Sequence, residues 1–207
     1  MRSIKCAILF SGNGSNMQNL IESLHNKIFY DNANNPVRLE TTLTLCNNPS
    51  AYGITRTHHL AIPCKIINHK DFSSRSDFDN AMIEMLRAHS IDIVLLAGFM
   101  RILTSCFTQA YQTINIHPSF LPEHKGANAI KESFNSTQSY GGVSVHWVNE
   151  ELDSGEIIAQ EKLHKIPNES LEDFTSRIHA LEYSLYPRAI LLALGLKDSV
   201  KSVEELQ

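Results

Sequence analysis

The chain has 207 residues, with 18 Lys and Arg against 22 Asp and Glu, for a formal net charge of −4 with histidine neutral. Hydrophobic residues make up 43% and charged residues 19%, the balance of a globular chain that buries a real core in one large domain. Lys and Arg are scattered with no basic run, which excludes a general nucleic-acid binder, and no segment approaches the ~20 apolar residues of a membrane span.

The four cysteines (Cys6, Cys46, Cys64, Cys106) are isolated and read as small hydrophobes in a reducing compartment. The opening run MRSIKCAILF is too short in apolar residues for a signal peptide, so a cytoplasmic location is expected.

IKCAILF (4–10) predicts a nearly continuous hydrophobic strand, followed by SGNGSN and a helix over about 17–25. VRLETTLTLC (37–46) predicts the next strand. Asn47-Asn48-Pro49-Ser50 then predicts the cap of a short helix reaching about Leu60. CKIIN (64–68) is a third strand. Apolar residues at 78, 82, 85 and 86 have the spacing of one helix face. IDIVLLAGF (91–99) predicts a long buried strand, followed by a brief helix over about 104–111 and the strand TINI (113–116).

Beyond Ala127 the pattern changes. GGVSVHWV (141–148) and GEIIAQEKL (155–163) alternate and lie close in sequence, which predicts an antiparallel pair. A long helix starts near Ser170, with Glu172 and Asp173 in its first turn, and runs towards Leu194 despite Pro187. The expected fold is α/β: a Rossmann-like open sheet, mostly parallel with an antiparallel C-terminal part, and helices on both faces. One domain is expected over 1–207. Its N-terminal half (about 1–100) holds a phosphate loop and its C-terminal half (about 101–195) the catalytic groups.

Two places carry chemistry. SGNGSN joins the first strand to the first helix, where glycines turn the backbone tightly and offer N–H groups to an anion. It has G-x-G but no third glycine, and it lacks the Gly-Lys-Ser/Thr of a triphosphate loop, so a monophosphate pocket is expected, with Gly14, Ser15 and Asn16 as donors. The bland alternative is a plain strand-to-helix turn.

The second place is INIHPSFLP (114–122). Residues two apart on a strand share a face, so Asn115 and His117 face one way while Ile114 and Ile116 pack the other. The strand before it ends in Met100-Arg101-Ile102-Leu103, and all three segments fall at the carboxyl edge, where open α/β sheets bind ligands. Arg101 could bind an anion or cap the sheet edge. A histidine moves protons near neutrality, and an asparagine N–H stabilises an oxyanion by ~3 kcal/mol of barrier, which suits acyl-type transfer. Asp153, in ELDSGEI, is the candidate carboxylate that favours the protonated histidine, or else it only makes an Asp-Ser-Gly turn. Ser119 follows Pro118 in no nucleophile elbow, so direct attack of one substrate on another is expected rather than a covalent intermediate.

SGNGSN, LLAGFMRIL, NIHPSFLP, GGVSVHWV and LDSGEIIAQ, in this order and at these spacings, resemble the phosphoribosylglycinamide formyltransferases of purine synthesis over residues 4 to about 190. The resemblance implies formyl transfer from 10-formyltetrahydrofolate, as cosubstrate and without a metal, to the glycinamide amine of a phosphoribosyl substrate. It implies His117 as acid–base group, Asn115 as oxyanion donor and Asp153 as the carboxylate favouring the protonated histidine. It places the substrate phosphate and ribose on Gly12, Asn13, Gly14, Ser15, Asn16 and Glu182. It places the folate on Arg75, Met100, Arg101, Ile102, Leu103 and Asn115. His146 matches a family histidine near the site.

Two departures stand out. Lys125-Gly126-Ala127-Asn128-Ala129 replaces a Gly-Leu-His-Thr-His type of stretch, and His179 stands where some relatives place a phosphate-binding lysine. Small-molecule substrates are expected, with no nucleic acid or membrane partner, on a monomer or homodimer.

A formyltetrahydrofolate hydrolase shares the Asn-His-Asp set but is expected to carry His-His-Ser, and a further regulatory domain, where this chain has His117-Pro118-Ser119. A methionyl-tRNA formyltransferase is expected to add a basic C-terminal domain. A silent nucleotide or folate binder using the same edge is the alternative from another class.

Overall fold

The computed structural model describes residues 1–197, and the last ten residues of the expected domain lie outside them. The strands are β1 (Arg2–Phe10), β2 (Ile28–Tyr30), β3 (Pro36–Cys46), β4 (Cys64–Ile66), β5 (Ile93–Leu96), β6 (Thr113–His117), β7 (Tyr140–Trp147) and β8 (Ile157–His164). The helices are α1 (Ser15–Leu24), α2 (Gly53–His59), α3 (Arg75–Ala88), α4 (Ser105–Ala110), α5 (Ala129–Asn135) and α6 (Leu171–Ala193).

The sheet runs β2-β3-β1-β5-β6-β7-β8, with β4 also on β3. β1 pairs in parallel with β3 and β5, β3 with β4, and β5 with β6. β7 and β8 close the other end antiparallel, as expected. The strand order reverses between β1 and β5, and that reversal opens a crevice at the carboxyl edge.

Side-chain alternation sorts the core onto two faces. Ile8 and Phe10 of β1, Leu95 of β5 and Ile114 and Ile116 of β6 pack against α1 and α6 through Leu20, Phe174, Ile178 and Ile190. Ala7, Leu9, Val94 and Leu96 pack the opposite face against Phe78, Met82 and Leu86 of α3 and Phe107 of α4. β6 gives its apolar residues to the first face, so Asn115 and His117 point to the second.

The structure corrects several boundaries. The apolar run 91–99 forms a strand only over Ile93–Leu96, because the Ile91 N–H is taken by the Leu86 carbonyl at the end of α3 and Ala97–Phe99 turn onto the lip of the crevice. Asn48 caps no helix. Its side chain receives the Ser50 N–H and its carbonyl the Ala51 N–H in a turn, and α2 starts at Gly53. The short β2, antiparallel on β3, and α5 carry too little periodicity to be read from sequence.

Ser170 caps α6 by accepting the Asp173 N–H. From this helix Tyr186, fully buried, shares its phenolic hydrogen between the carbonyls of Leu96 and Ile114, at 2.9 and 3.0 Å. Burial drives its pKa well above the ordinary tyrosine value, so the group stays a donor. Tyr186→Phe should lower unfolding free energy by about 1–2 kcal/mol, the cost of leaving buried carbonyls unpaired. Urea denaturation reads this directly, and an unchanged midpoint would show that the hydroxyl contributes nothing to the α6–sheet contact.

Candidate active site

The crevice is pinned at the reversal of strand order. Past β1, the Ser11 N–H donates to the Gly98 carbonyl (3.0 Å), and the Ser11 hydroxyl accepts the Met100 N–H (2.7 Å). The segment 100–103 is held at its far end by Asp79 of α3, buried, whose Oδ2 accepts both the N–H and the hydroxyl of Thr104 at 2.7 Å. Burial pushes the Asp79 carboxyl up, against the Thr104 bonds and the charges of Arg75 and Arg101. The two arginines expected at the folate therefore act on one carboxylate. Between the anchors Met100 and Ile102 are exposed and Leu103 is buried in the core. Phe99, Arg101, Ile102, Val148 and Leu152 wall a cleft whose polar floor includes Asn115. Apolar walls over a few convergent polar groups suit a flat, partly polar ring system.

On that floor the strand residues meet the turn between β7 and β8. Asp153 Oδ2 lies 3.4 Å from His117 Nδ1, and Asp153 Oδ1 lies 3.7 Å from His146 Nε2, with all three side chains buried. His117 Nε2–H donates to the His124 carbonyl at 2.9 Å. Both ring nitrogens of His117 thus face acceptors, so its cation has a partner for each N–H. His146 sits directly opposite Asn115 in the β6–β7 ladder. Its Nδ1–H donates to the Trp147 carbonyl (2.9 Å), which leaves Nε2 to accept from Asn115 Nδ2 (3.2 Å). That chain of bonds fixes the amide and leaves its second N–H to donate into the cleft.

The turn itself is built for this approach. Asp153 adopts φ 48, a left-handed conformation that Asp and Asn tolerate better than most residues. A Cβ on Gly155 would come within 1.6 Å of the Trp147 carbonyl oxygen, so only glycine lets the turn close against β7. The divergent 125–129 loop reaches the same carboxylate: the Gly126 N–H donates to Asp153 Oδ2 at 2.9 Å, and Lys125 bonds Ser154. Burial favours the neutral Asp153, but the neighbouring imidazoles of His146 and His117 and the Gly126 N–H outweigh it and hold the carboxyl below its ordinary value.

At the other side of the crevice, Gly14 caps α1 at φ 76 with no side-chain cap and no acidic residue in the first turn. Ser15 and Asn16 therefore begin a helix with free N–H groups, an arrangement that receives anions. Gly12 and Asn13 are exposed, and Asn16 Oδ1 is buried with no partner. Asn19 of α1 donates to the Tyr183 carbonyl of α6 (3.0 Å); Glu182 immediately precedes Tyr183, and His179 lies one turn earlier. The buried Glu182 accepts from His179 Nδ1 at 2.7 Å.

The hydrogen bond to Glu182 raises the His179 pKa, opposed by burial and helped by the Glu182 charge. A raised folded-state pKa gives stability that is full below the unfolded value of 6.5 and lost as pH rises through the folded one. With the His179 side chain 43% exposed, the effect is modest. The melting-point difference between wild type and His179→Gln should therefore shrink from about pH 5.5 to about pH 8.5. Parallel curves would refute the linkage.

All the expected residues except Arg75 lie along this one edge or its lips; Arg75 stands exposed at the start of α3. The roles of Asp79 and His124 were not legible in sequence. His146, expected near the site from the resemblance, has a second signal in its alternation with Ser144 on β7, which puts it on the face of Asn115 once the pairing is antiparallel. No group of three or more His, Cys, Asp or Glu that could hold a metal occurs among the described residues, and none of their helices is long and apolar enough to cross a membrane.

A sequence profile of the formyl transferase family matches residues 4–190. Phosphoribosylglycinamide formyltransferase of Haemophilus influenzae is 35% identical over 202 residues, covering 95% of this chain and 92% of that protein. The trifunctional purine biosynthetic protein adenosine-3 of Chironomus tentans is 37% identical over 190 residues, which are 91% of this chain and 13% of that longer protein. Among solved structures, phosphoribosylglycinamide formyltransferase of Campylobacter jejuni superposes with a TM-score of 0.87 at 43% identity, over 93% of this chain and 98% of that one.

Proposed function

Because the chain belongs to the phosphoribosylglycinamide formyltransferases, within the formyl transferase family, we propose that it transfers the formyl group of 10-formyltetrahydrofolate to the amine of N1-(5-phosphoribosyl)glycinamide in de novo purine biosynthesis. The products are the N-formyl amide and tetrahydrofolate. The observation that carries this reading is the cluster of Asn115, His146 and Asp153 on the floor of the cleft beside residues 100–103, with His117 3.4 Å from Asp153.

In this reading the amine nitrogen adds to the formyl carbon and the bond from that carbon to N10 breaks. One proton leaves the amine and one arrives at N10. His117 moves these protons when its Nε2 exchanges the His124 carbonyl for the substrate nitrogens, and Asp153, 3.4 Å from Nδ1, balances the charge that His117 carries between the two transfers. Asn115, aimed by His146, donates its free N–H to the oxygen that becomes negative when the carbon is tetrahedral. The walls from Phe99 to Leu103 and at Val148 and Leu152 hold the folate rings. The 12–16 loop with Glu182 holds the phosphate and ribose of the acceptor.

The test is to mix pure protein with 10-formyltetrahydrofolate, with and without phosphoribosylglycinamide, and to follow folate deformylation. Deformylation that depends on the acceptor is expected. Deformylation without it would make the protein a hydrolase, and none at all would leave only a binder.

A further inference from the structure

Helix α2 does more than link two strands. It is docked on the glycine loop: the Gly53 N–H donates to the Gly12 carbonyl at 3.0 Å, and a Cβ on Gly14 would come within 2.8 Å of the Gly53 Cα. One turn along, Arg56 lays its guanidinium across the start of α1. Its Nε–H donates to the Asn13 carbonyl (2.9 Å), its Nη2 to Asn13 Oδ1 (2.8 Å) and its Nη1 to Gln18 Oε1 (2.5 Å). The same guanidinium lies over the Tyr52 ring, 5.1 Å from the centroid.

We propose that Arg56 is a positioning residue for the substrate phosphate, shaping the 12–16 loop into its receiving form without touching the anion. The inference rests on the reading of that loop as the phosphate site. Three of the five guanidinium N–H donors are committed to loop and α1 acceptors, in a planar fork that a lysine does not reproduce. Because Asn13 Oδ1 is held from behind, the amide of this exposed residue turns its two N–H donors outward. The carbonyl of the same residue is held too, so backbone and side chain are set together. A fixed positive charge then stands behind the N–H groups of Ser15 and Asn16, where α1 has no acidic residue in its first turn to cancel it. A mere brace for α2 would not need this convergence, since the Gly53 N–H already ties that helix to the loop.

The experiment compares wild type, Arg56→Gln, Arg56→Lys, Asn13→Ala and the Arg56→Gln/Asn13→Ala double variant, each checked for folding by circular dichroism. It measures KM for the phosphorylated acceptor, KM for the same acceptor without its phosphate, and inhibition by inorganic phosphate. In Arg56→Gln the KM for the phosphorylated acceptor should rise about tenfold or more, the scale of losing charge-assisted bonds. Inorganic phosphate should inhibit correspondingly less, while kcat and the KM for the formyl donor move far less. Arg56→Lys should fall between the two. Arg56→Gln should add little in the Asn13→Ala background, because both act through one side chain.

An unchanged preference for the phosphorylated acceptor in folded Arg56→Gln would overturn the proposal, as would a loss spread equally over kcat and both substrates. Should Arg56→Gln not fold, the same measurements on Arg56→Lys decide. A wild type indifferent to the phosphate would overturn the loop reading itself. A wild type that requires it, beside unaffected variants, would overturn only the role of Arg56.

Discussion

His117→Ala should lower kcat for formyl transfer by about a thousandfold or more while leaving the affinity for both substrates largely intact. Positioned acid–base groups contribute about 10²–10⁴ to such steps, and nothing else in this site can take over. His146, the imidazole that lines the cleft, has its Nδ1–H committed to the Trp147 carbonyl and its Nε2 to Asn115 by strand pairing. The contacts that hold ligands survive the change, because Arg101, Ile102, Asn115 and the 12–16 loop make no hydrogen bond to His117. The loss should therefore fall on kcat and appear in single-turnover measurements, with substrate dissociation constants moving by less than about threefold. Near-normal turnover would end the catalytic role of His117. A matching loss of binding would instead make it a structural residue, holding the 118–124 loop through the His124 carbonyl.

The pair Asn115 and His117 was readable in sequence for a local reason. Alternation along a strand is fixed by backbone geometry, and Ile114 and Ile116 declared which face was core. The carboxyl-edge placement of 12–16, 100–103 and 115–117 was readable as well, since strands alternating with helices allow few other topologies. What sequence does not carry is the non-local hydrogen bonding that turns an edge into a site. The Ile91 N–H is claimed by Leu86, which shortens β5 although the apolar run continues. Asp79 sits on the helix face predicted to be apolar, because Thr104 supplies its two donors from another element. The aiming of Asn115 depends on His146 through a register between strands, and periodicity within either strand cannot reveal it.

Asp153→Asn should cost about a hundredfold to a thousandfold in kcat, and the backbone explains why this substitution isolates the charge. At φ 48, alanine would add strain of its own, whereas asparagine visits the left-handed region readily and keeps the size of the side chain. The Gly126 N–H still finds an amide oxygen where Oδ2 was. Facing His117 Nδ1 at 3.4 Å there is then a neutral group, which no longer balances the charge that His117 carries during the transfer, or else an N–H aimed at another N–H. The same variant separates charge from shape in stability. The folded-state pKa of Asp153 is lowered, so its contribution is present above the unfolded carboxylate value, 3.8, and is lost as pH falls through the folded value. Wild type should therefore lose stability on acidification through that window relative to Asp153→Asn, which has no proton to take up. Thermal melts at neutral and acidic pH read that difference, and stopped-flow turnover at neutral pH reads the catalytic one. A variant that turns over normally but follows the stability prediction would leave Asp153 as the clamp of the 125–129 loop and remove it from the reaction.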